Sequence, residues 1–150
     1  MLFRSRKVGA EKGATALALI AVMRKSSALL DAVEGTSPFL RRNLTEALDD
    51  LESATRWIVE TFPANPKSVA AVAVPYLKLF GTVAGGWTMA RAAVIANEQL
   101  KQPDADREFL EGKLATARFY AEHELPKAAA FAREVMHGAG SVLALDPNKF

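Results

Sequence analysis

Four carboxylates on one short segment are the densest group of side chains here that could perform acid–base chemistry: Glu46, Asp49, Asp50 and Glu52. Two carboxylates divide into an acid and a base only when their surroundings raise one of the two pKa values. The pattern supplies no such surroundings, because Arg42 and Arg56 flank the group and Glu52 precedes Arg56 in the i,i+4 order of a helical ion pair. We therefore interpret the four carboxylates as a solvated helix face.

Metal ligation is the second chemistry that the residue types suggest. Glu134 and His137 form one Glu-x-x-His element. A di-iron site in a helical bundle needs two such elements and two further glutamates that project inward. The other histidine, His123, has no glutamate three residues before it, and the chain has no cysteine. We expect no metal site, no disulfide and no thiol nucleophile.

Cofactor and nucleic-acid sites also lack their usual patterns. The glycines between positions 81 and 86 do not have the spacing or strand–turn–helix context of a dinucleotide fingerprint. No serine lies in a nucleophile elbow. The net charge is only +2, and the densest basic patch (Arg4, Arg6 and Lys7) belongs to a polar tail without interleaved aromatic residues. We predict no catalytic, cofactor-binding or nucleic-acid-binding residues in this chain.

The composition predicts an all-α domain. Half of the 150 residues are hydrophobic, alanine is abundant and β-branched runs are short. Glycine and proline divide the chain into predicted helices at about 13–33, 38–62, 67–100, 105–124 and 126–137, with a kink at Pro75 in the third. Short loops make neighbouring helices antiparallel. We expect a bundle of four main helices with a short C-terminal helix over residues 13–150, after a flexible segment over residues 1–12.

Hydrophobic spacing predicts which faces of the helices are buried. The first helix places Leu19, Met23, Leu30 and Val33 on one face, and residues 142–145 supply a final apolar contact. The second helix has a regular three-and-four spacing of apolar residues: Leu40, Leu44, Leu48, Leu51, Ala54, Ile58 and Phe62.

The third predicted helix carries three glycines between Pro75 and Arg91. Each glycine inside a helix costs about 1 kcal/mol relative to alanine, so tertiary packing has to compensate. Small residues allow a neighbouring helix to approach closely, and an adjacent tryptophan fills the space beside them. We predict that this helix meets the second and fourth helices in a shared core, to which we assign Tyr76, Leu77, Gly81, Gly85, Gly86, Trp87, Phe119 and Tyr120.

We expect neither a membrane span nor an export signal. Lys78 and Arg91 leave twelve uncharged residues between them, whereas a span needs about 20. The apolar run from Ala14 to Met23 is followed by Arg24 and Lys25 and not by a cleavage pattern of small residues. An amphipathic membrane-surface helix is disfavoured because the polar face of the second helix carries both charge signs. We expect a cytoplasmic protein.

Two separate segments carry a family resemblance: residues 76–91, with Tyr-Leu-Lys-Leu-Phe-Gly, Gly-Trp and Ala-Arg, and residues 113–126, from Lys-Leu-Ala-Thr-Ala-Arg-Phe-Tyr to Leu-Pro. Together with the closing residues 138–150, they resemble the C-terminal helical domain of a subgroup of acyl-CoA dehydrogenases. The resemblance extends from about residue 9 to 150. Members of this subgroup act on 3-(methylthio)propanoyl-CoA and other acyl-CoA thioesters in fatty acid metabolism.

The resemblance implies that FAD and the catalytic glutamate belong to upstream domains. In the family, that glutamate lies in a Tyr-Glu-Gly-Thr-type motif, and a short basic stretch then leads into the helical domain. Residues 6–9 resemble the end of this stretch, so residues 1–12 would be a remnant of the connection to the catalytic body. Glu34-Gly35-Thr36 partly matches the motif, but it lies at a predicted helix junction, where a glycine stop and a Thr cap are ordinary. We do not assign Glu34 as a catalytic base.

Two functions remain open. The first is the C-terminal structural domain of an FAD-dependent acyl-CoA dehydrogenase, with the upstream domains as partners, a possible homo-oligomer of the parent enzyme, and no cofactor in this chain itself. The second is a free-standing helical module that binds another protein and has no enzymatic activity. An upstream reading frame that continues into a flavin domain would distinguish the first from the second.

Overall fold

Helices form nearly all of the computed structural model, which describes residues 13–28, 30 and 38–144. Over this part of the chain there is no strand, and the helices are α1 (Ala14–Ser27), α2 (Pro38–Thr61), α3 (Pro66–Ala71), α4 (Ala73–Gln99), α5 (Arg107–His123), α6 (Lys127–His137) and α7 (Ala139–Leu143). The all-α prediction is confirmed.

The two long helices α2 and α4 pack against each other at the centre of the bundle. On one side, α1 contacts both of them. On the other side, α5 and then α6 follow α4 back along its length, and both also contact α2. The short helices α3 and α7 pack together at one end. Each helix thus buries one face against α2 or α4, or against a neighbour of these two.

The α2 helix buries the apolar face that its spacing predicts. Six of the seven predicted residues are buried, and Phe62 packs against the core while partly exposed. The opposite face carries the charged residues of this segment. Side chains three and four apart share a helix face, so this regular spacing fixed the orientation of α2 from the sequence.

The predicted third helix is two helices and not one kinked helix. The first, α3, begins after Asn65, whose side-chain oxygen accepts a hydrogen bond from the Ser68 amide at 3.1 Å. It ends at Ala71, four residues before Pro75, because the proline ring would clash with the Ala71 carbonyl. After Val72, α4 begins, so that Pro75 lies in its first turn, where an amide donor is not needed.

Two smaller predictions about burial are wrong in part. Met23 and Leu30 are buried as predicted, but Leu19 is exposed, and Ile20 and Ser27 are buried on α1 instead. Val33 lies outside the described residues. At the C-terminal end, Ala139 is the buried residue of the short helix α7, whereas Val142 and Leu143 are exposed. Leu145 lies outside the described residues.

Candidate functional site

Two adjacent glycines allow the α5–α6 segment to pack closely on α4. A Cβ atom at Gly85 would collide with the phenol oxygen of Tyr120, which donates a hydrogen bond to the Thr82 carbonyl at 3.1 Å. A Cβ atom at Gly86 would lie 2.5 Å from Cδ2 of Leu125. Both glycines are therefore required for close packing, as predicted, and the space above them is filled by side chains of the same chain.

Tyr76 joins α4 to α2. Its hydroxyl lies 2.9 Å from the Thr55 hydroxyl, which also donates to the Leu51 carbonyl at 2.7 Å. Burial raises the pKa of the Tyr76 phenol above its ordinary value, although the hydrogen bond with Thr55 acts in the opposite direction. The ring packs against the core and meets Phe80 edge-on at 6.1 Å. Tyr76 is therefore a structural contact between α2 and α4.

Trp87 packs against the core, but its polar contact is with a helix that the sequence did not indicate. Its indole N–H donates a hydrogen bond to the hydroxyl of Ser26 on α1. The Arg91 guanidinium lies over the indole ring, 5.1 Å from its centroid. The sequence analysis predicted contacts with the helices at 38–62 and 105–124, which are α2 and α5. It did not predict the contact with α1, because the spacing of residues on α4 does not reveal where α1 lies.

Three of the predicted core residues are exposed instead: Leu77, Gly81 and Phe119. Leu77 and Gly81 lie on the side of α4 away from the buried Leu79. Phe119 lies on the outer face of α5, where its ring stacks on His123 at 4.6 Å. In both helices an apolar residue occupies the outer face, so hydrophobicity alone could not assign these positions.

A groove of about 610 Å³ lies between α2 and the junction of α5 with α6, and is lined by Phe39, Arg42, Asn43, Glu46, Ala47, Asp50, Arg118, Glu122, Leu125, Pro126 and Ala129. Asn43 donates to the Ala121 carbonyl at 2.8 Å, which links the two walls. Arg118 pairs with Glu122 at 2.8 Å, and Arg42 lies 3.8 Å from Glu46. The groove therefore presents charges of both signs that largely neutralise one another.

Three of the four α2 carboxylates, those of Glu46, Asp49 and Glu52, form ion pairs with arginines. This confirms the interpretation of these residues as a charged helix face. Glu52 accepts hydrogen bonds from Arg56 at 2.7 Å and from Arg24 of α1 at 2.9 Å. Both hydrogen bonds lower the pKa of Glu52, and the one from Arg56 has the larger effect. Asp49 pairs with Arg24 at 2.6 Å. This arrangement fastens α1 to α2.

Asp50 differs from the other three carboxylates because it lies in the wall of the groove. Partial burial raises its pKa, the charges of Asp49 and Glu46 raise it further, and Arg133 lowers it. The sequence analysis missed this effect, since its largest cause, the partial burial of Asp50, depends on how the helices pack. A raised pKa alone does not provide catalysis, which also requires a substrate within hydrogen-bonding reach.

We predict that Asp50→Asn raises the midpoint of thermal unfolding at pH 7. The folded-state pKa of Asp50 lies above its unfolded value, so the contribution of this group to stability is present below the unfolded pKa and is lost as the pH rises through the folded pKa. The gain should therefore shrink on acidification. Thermal scans at pH 4 and pH 7 test this, with Asp104→Asn, at an exposed loop position, as the control. An equal gain at both pH values would contradict it.

The remaining candidates for chemistry do not form a site. Within the described part of the chain, no group of three or more His, Cys, Asp or Glu side chains could hold a metal ion. Glu134 and His137 are exposed on α6. Glu34, Gly35 and Thr36 lie outside the described residues.

One helix in the described residues, α4, is long and apolar enough to cross a membrane by length and composition. A third of its most apolar 18-residue segment is buried inside the protein. The helix contacts α1, α2, α5 and α6, as the central helix of a bundle does. Length and composition alone do not separate a membrane span from such a core helix.

These features define a class of protein: a helical bundle whose glycines, aromatic residues and ion pairs hold its helices together.

Residues 16–146 match the model of the family described as acetyl-CoA dehydrogenase C-terminal like, and the chain belongs to this family. It is also 28% identical over 125 residues to the 3-methylmercaptopropionyl-CoA dehydrogenase of Ruegeria pomeroyi. That match covers 83% of this chain but only 21% of the relative. No solved structure matches the chain.

The match confirms the family resemblance drawn from residues 76–91 and 113–126. Both segments lie inside the matched range of 16–146. The chain is thus a C-terminal acyl-CoA dehydrogenase-like domain, and it spans about a fifth of the length of the curated relative.

Proposed function

We propose that this chain serves as the C-terminal packing domain of an FAD-dependent acyl-CoA dehydrogenase and lacks the catalytic and flavin-binding parts. The observation that carries this proposal is the family match over residues 16–146, in a chain that spans 21% of the relative's length. The parent reaction would be the α,β-dehydrogenation of an acyl-CoA thioester. The domains that precede this region would be its partners, and the parent enzyme would be a cytoplasmic homo-oligomer without a nucleic-acid or membrane partner.

The α4 glycines and the groove beside Asp50 do not suit FAD. A backbone that cradles a pyrophosphate needs accessible glycine amides at a helix start. Gly85 and Gly86 lie in the middle of α4, and Tyr120 and Leu125 occupy the space beside them. The groove beside Asp50 has carboxylates as well as arginines in its wall, which opposes the binding of an anionic cofactor. We therefore assign flavin binding and proton abstraction to other domains.

We predict that the purified 150-residue chain is colourless after incubation with FAD and does not oxidise acyl-CoA thioesters. The test is flavin retention by absorbance after gel filtration, followed by dye reduction with a panel of acyl-CoA substrates. The Ruegeria pomeroyi relative, tested on 3-methylmercaptopropionyl-CoA, is the positive control. A yellow protein whose turnover is abolished by Glu34→Gln would overturn the proposal.

The alternative is a free-standing helical module that binds another protein. It makes a different genetic prediction, because its gene would begin at Met1 with its own ribosome-binding site. Sequencing of the transcript upstream of Met1 separates the two. A message that continues in frame into a flavin domain supports the packing domain, and a stop codon with a ribosome-binding site supports the module.

A further inference from the structure

One side of α4 is open although the helix is apolar on all sides. A helix with this composition is normally enclosed by protein or lipid, yet only a third of its most apolar 18-residue segment is buried. Between Val74 and Ile95 the exposed uncharged residues follow helical spacing and share one face. We call this face the α4 strip; it consists of Val74, Leu77, Gly81, Thr88 and Ile95.

The two charged residues in the middle of α4 leave this strip uncharged. The ammonium group of Lys78 lies over the Phe131 ring of α6, 5.8 Å from its centroid. Arg91 lies over Trp87, on the side that faces α1. Both charges are thus held at the borders of the strip by cation–π contacts. The strip residues between these two charges are apolar, except Thr88. The Thr88 hydroxyl is neutral and donates a hydrogen bond within its own helix, to the Ala84 carbonyl at 2.9 Å.

Gly81, at the centre of the strip, is not required by any contact within the chain. A Cβ atom there would meet nothing within 4 Å. Gly85 and Gly86, on the same helix, are each needed because a side chain packs against them. Since glycine is unfavourable inside a helix compared with alanine, its presence at Gly81 suits a neighbour that approaches α4 closely from outside.

The strip continues onto α1, the first described helix. Leu19, Val22 and Ser26 are spaced three and four residues apart, so they share one face of α1. Ser26 accepts the hydrogen bond from Trp87, which places this face beside α4. Leu19 and Val22 are both exposed. The open apolar surface therefore extends to the helix that lies nearest to any preceding part of the polypeptide.

We propose that the α4 strip and the adjoining face of α1 are covered by the domains that precede this region in a longer acyl-CoA dehydrogenase polypeptide. This inference rests on the proposed function. The matched segment is 21% of the Ruegeria pomeroyi relative, so most of such a polypeptide is available to cover the surface. An uncharged strip about 20 residues long fits an apolar protein surface, because burial there leaves no charge without a partner.

The outer face of α5 is the competing surface. It exposes Phe109 and Phe119, and Gly112 between them also has no neighbour within 4 Å of a Cβ atom. Charged side chains lie beside this face, because Asp106, Glu108 and Lys113 line the same shallow pocket as Phe109 and Gly112. The α5 face therefore suits solvent better than the α4 strip does, and it supplies matched control positions.

The test is a chimera in which the whole 150-residue chain replaces the matched segment of the Ruegeria pomeroyi relative. This chain has no cysteine, so a single introduced cysteine reports the accessibility of one position. Thr88→Cys reports on the α4 strip and Thr116→Cys on the α5 face. The two positions are matched, because both threonines are exposed and donate a hydrogen bond to the carbonyl four residues earlier. Thiol labelling at Thr88→Cys should slow by about tenfold or more from the free chain to the chimera. Labelling at Thr116→Cys should stay unchanged, with the chimera that lacks added cysteines as the background.

A second pair of variants tests the same surface without labelling. Gly81→Leu and Gly112→Leu should each raise the thermal midpoint of the free chain, because each relieves a helix glycine in open space. In the chimera, Gly81→Leu should lower the yield of soluble, flavin-loaded enzyme, and Gly112→Leu should not.

The outcomes separate the two proposals. A chimera that retains flavin and activity while Thr88→Cys is still labelled rapidly overturns the surface assignment and leaves the proposed function standing. A chimera that retains neither overturns the proposed function and the inference with it. The surface assignment also fails if Ile95→Glu abolishes dimerisation of the free chain in light scattering, or abolishes its co-sedimentation with vesicles of phosphatidylcholine and phosphatidylglycerol, since a second copy or lipid would then be the occupant.

Discussion

Replacement of Gly86 by leucine is expected to destabilise the folded chain by about 3 kcal/mol. A Cβ atom at this position would lie 2.5 Å from Cδ2 and 3.0 Å from Cγ of Leu125. The Leu125 side chain is only 1% exposed, so its displacement would disturb the side chains packed around it. The measurement is the free energy of unfolding from urea titrations followed by circular dichroism.

The matched control for this substitution is Gly81→Leu, which adds the same side chain to the same helix in open space. Gly85→Leu should fall between the two. There the obstructing atom is the phenol end of Tyr120, which can swing aside at the cost of its hydrogen bond to the Thr82 carbonyl. If Gly86→Leu and Gly81→Leu had the same stability, the close approach of α4 to Leu125 would not be required for folding.

Leu79→Ala is expected to cost about 2–5 kcal/mol of folding free energy. Leu79 is 0% exposed in the core between α4 and its neighbours, so the truncation leaves a cavity. Leu77, two residues earlier on the same helix, is 47% exposed. Leu77→Ala should therefore change stability by less than about 1 kcal/mol. Parallel urea titrations of both variants make the comparison, and equal losses would contradict the described rotation of α4 about its axis.

The contrast between α2 and α4 shows what the sequence could predict. In α2 the charged residues and the leucines occupy opposite faces, so spacing alone identified Leu44, Leu48 and Leu51 as buried. In α4 nearly every position is apolar or small, and no pattern distinguishes Leu77 from Leu79. Only the positions of the surrounding helices decide which side of such a helix is enclosed.

The candidate site was predictable only in its local features. Glycine and an adjacent bulky residue indicated close packing at Gly85 and Gly86, because their helix cost had to be offset by packing. The hydrogen-bond partner of Trp87 is Ser26 on another helix, and the raised pKa of Asp50 comes first from its partial burial. Both depend on how separate helices pack, and spacing within one helix carries no information about that.

The division of the predicted third helix at Val72 has a consequence for how the bundle moves. The α3 helix has six residues and α7 has five, and helices this short are not stable on their own. Each is held mainly by contacts at its own end of the bundle, where the two pack together. We expect that loss of one helix removes the support of the other, so that α3 and α7 open together before α2, α4 and α5 unfold. Such a local opening would leave the contacts at Gly85 and Gly86 in place.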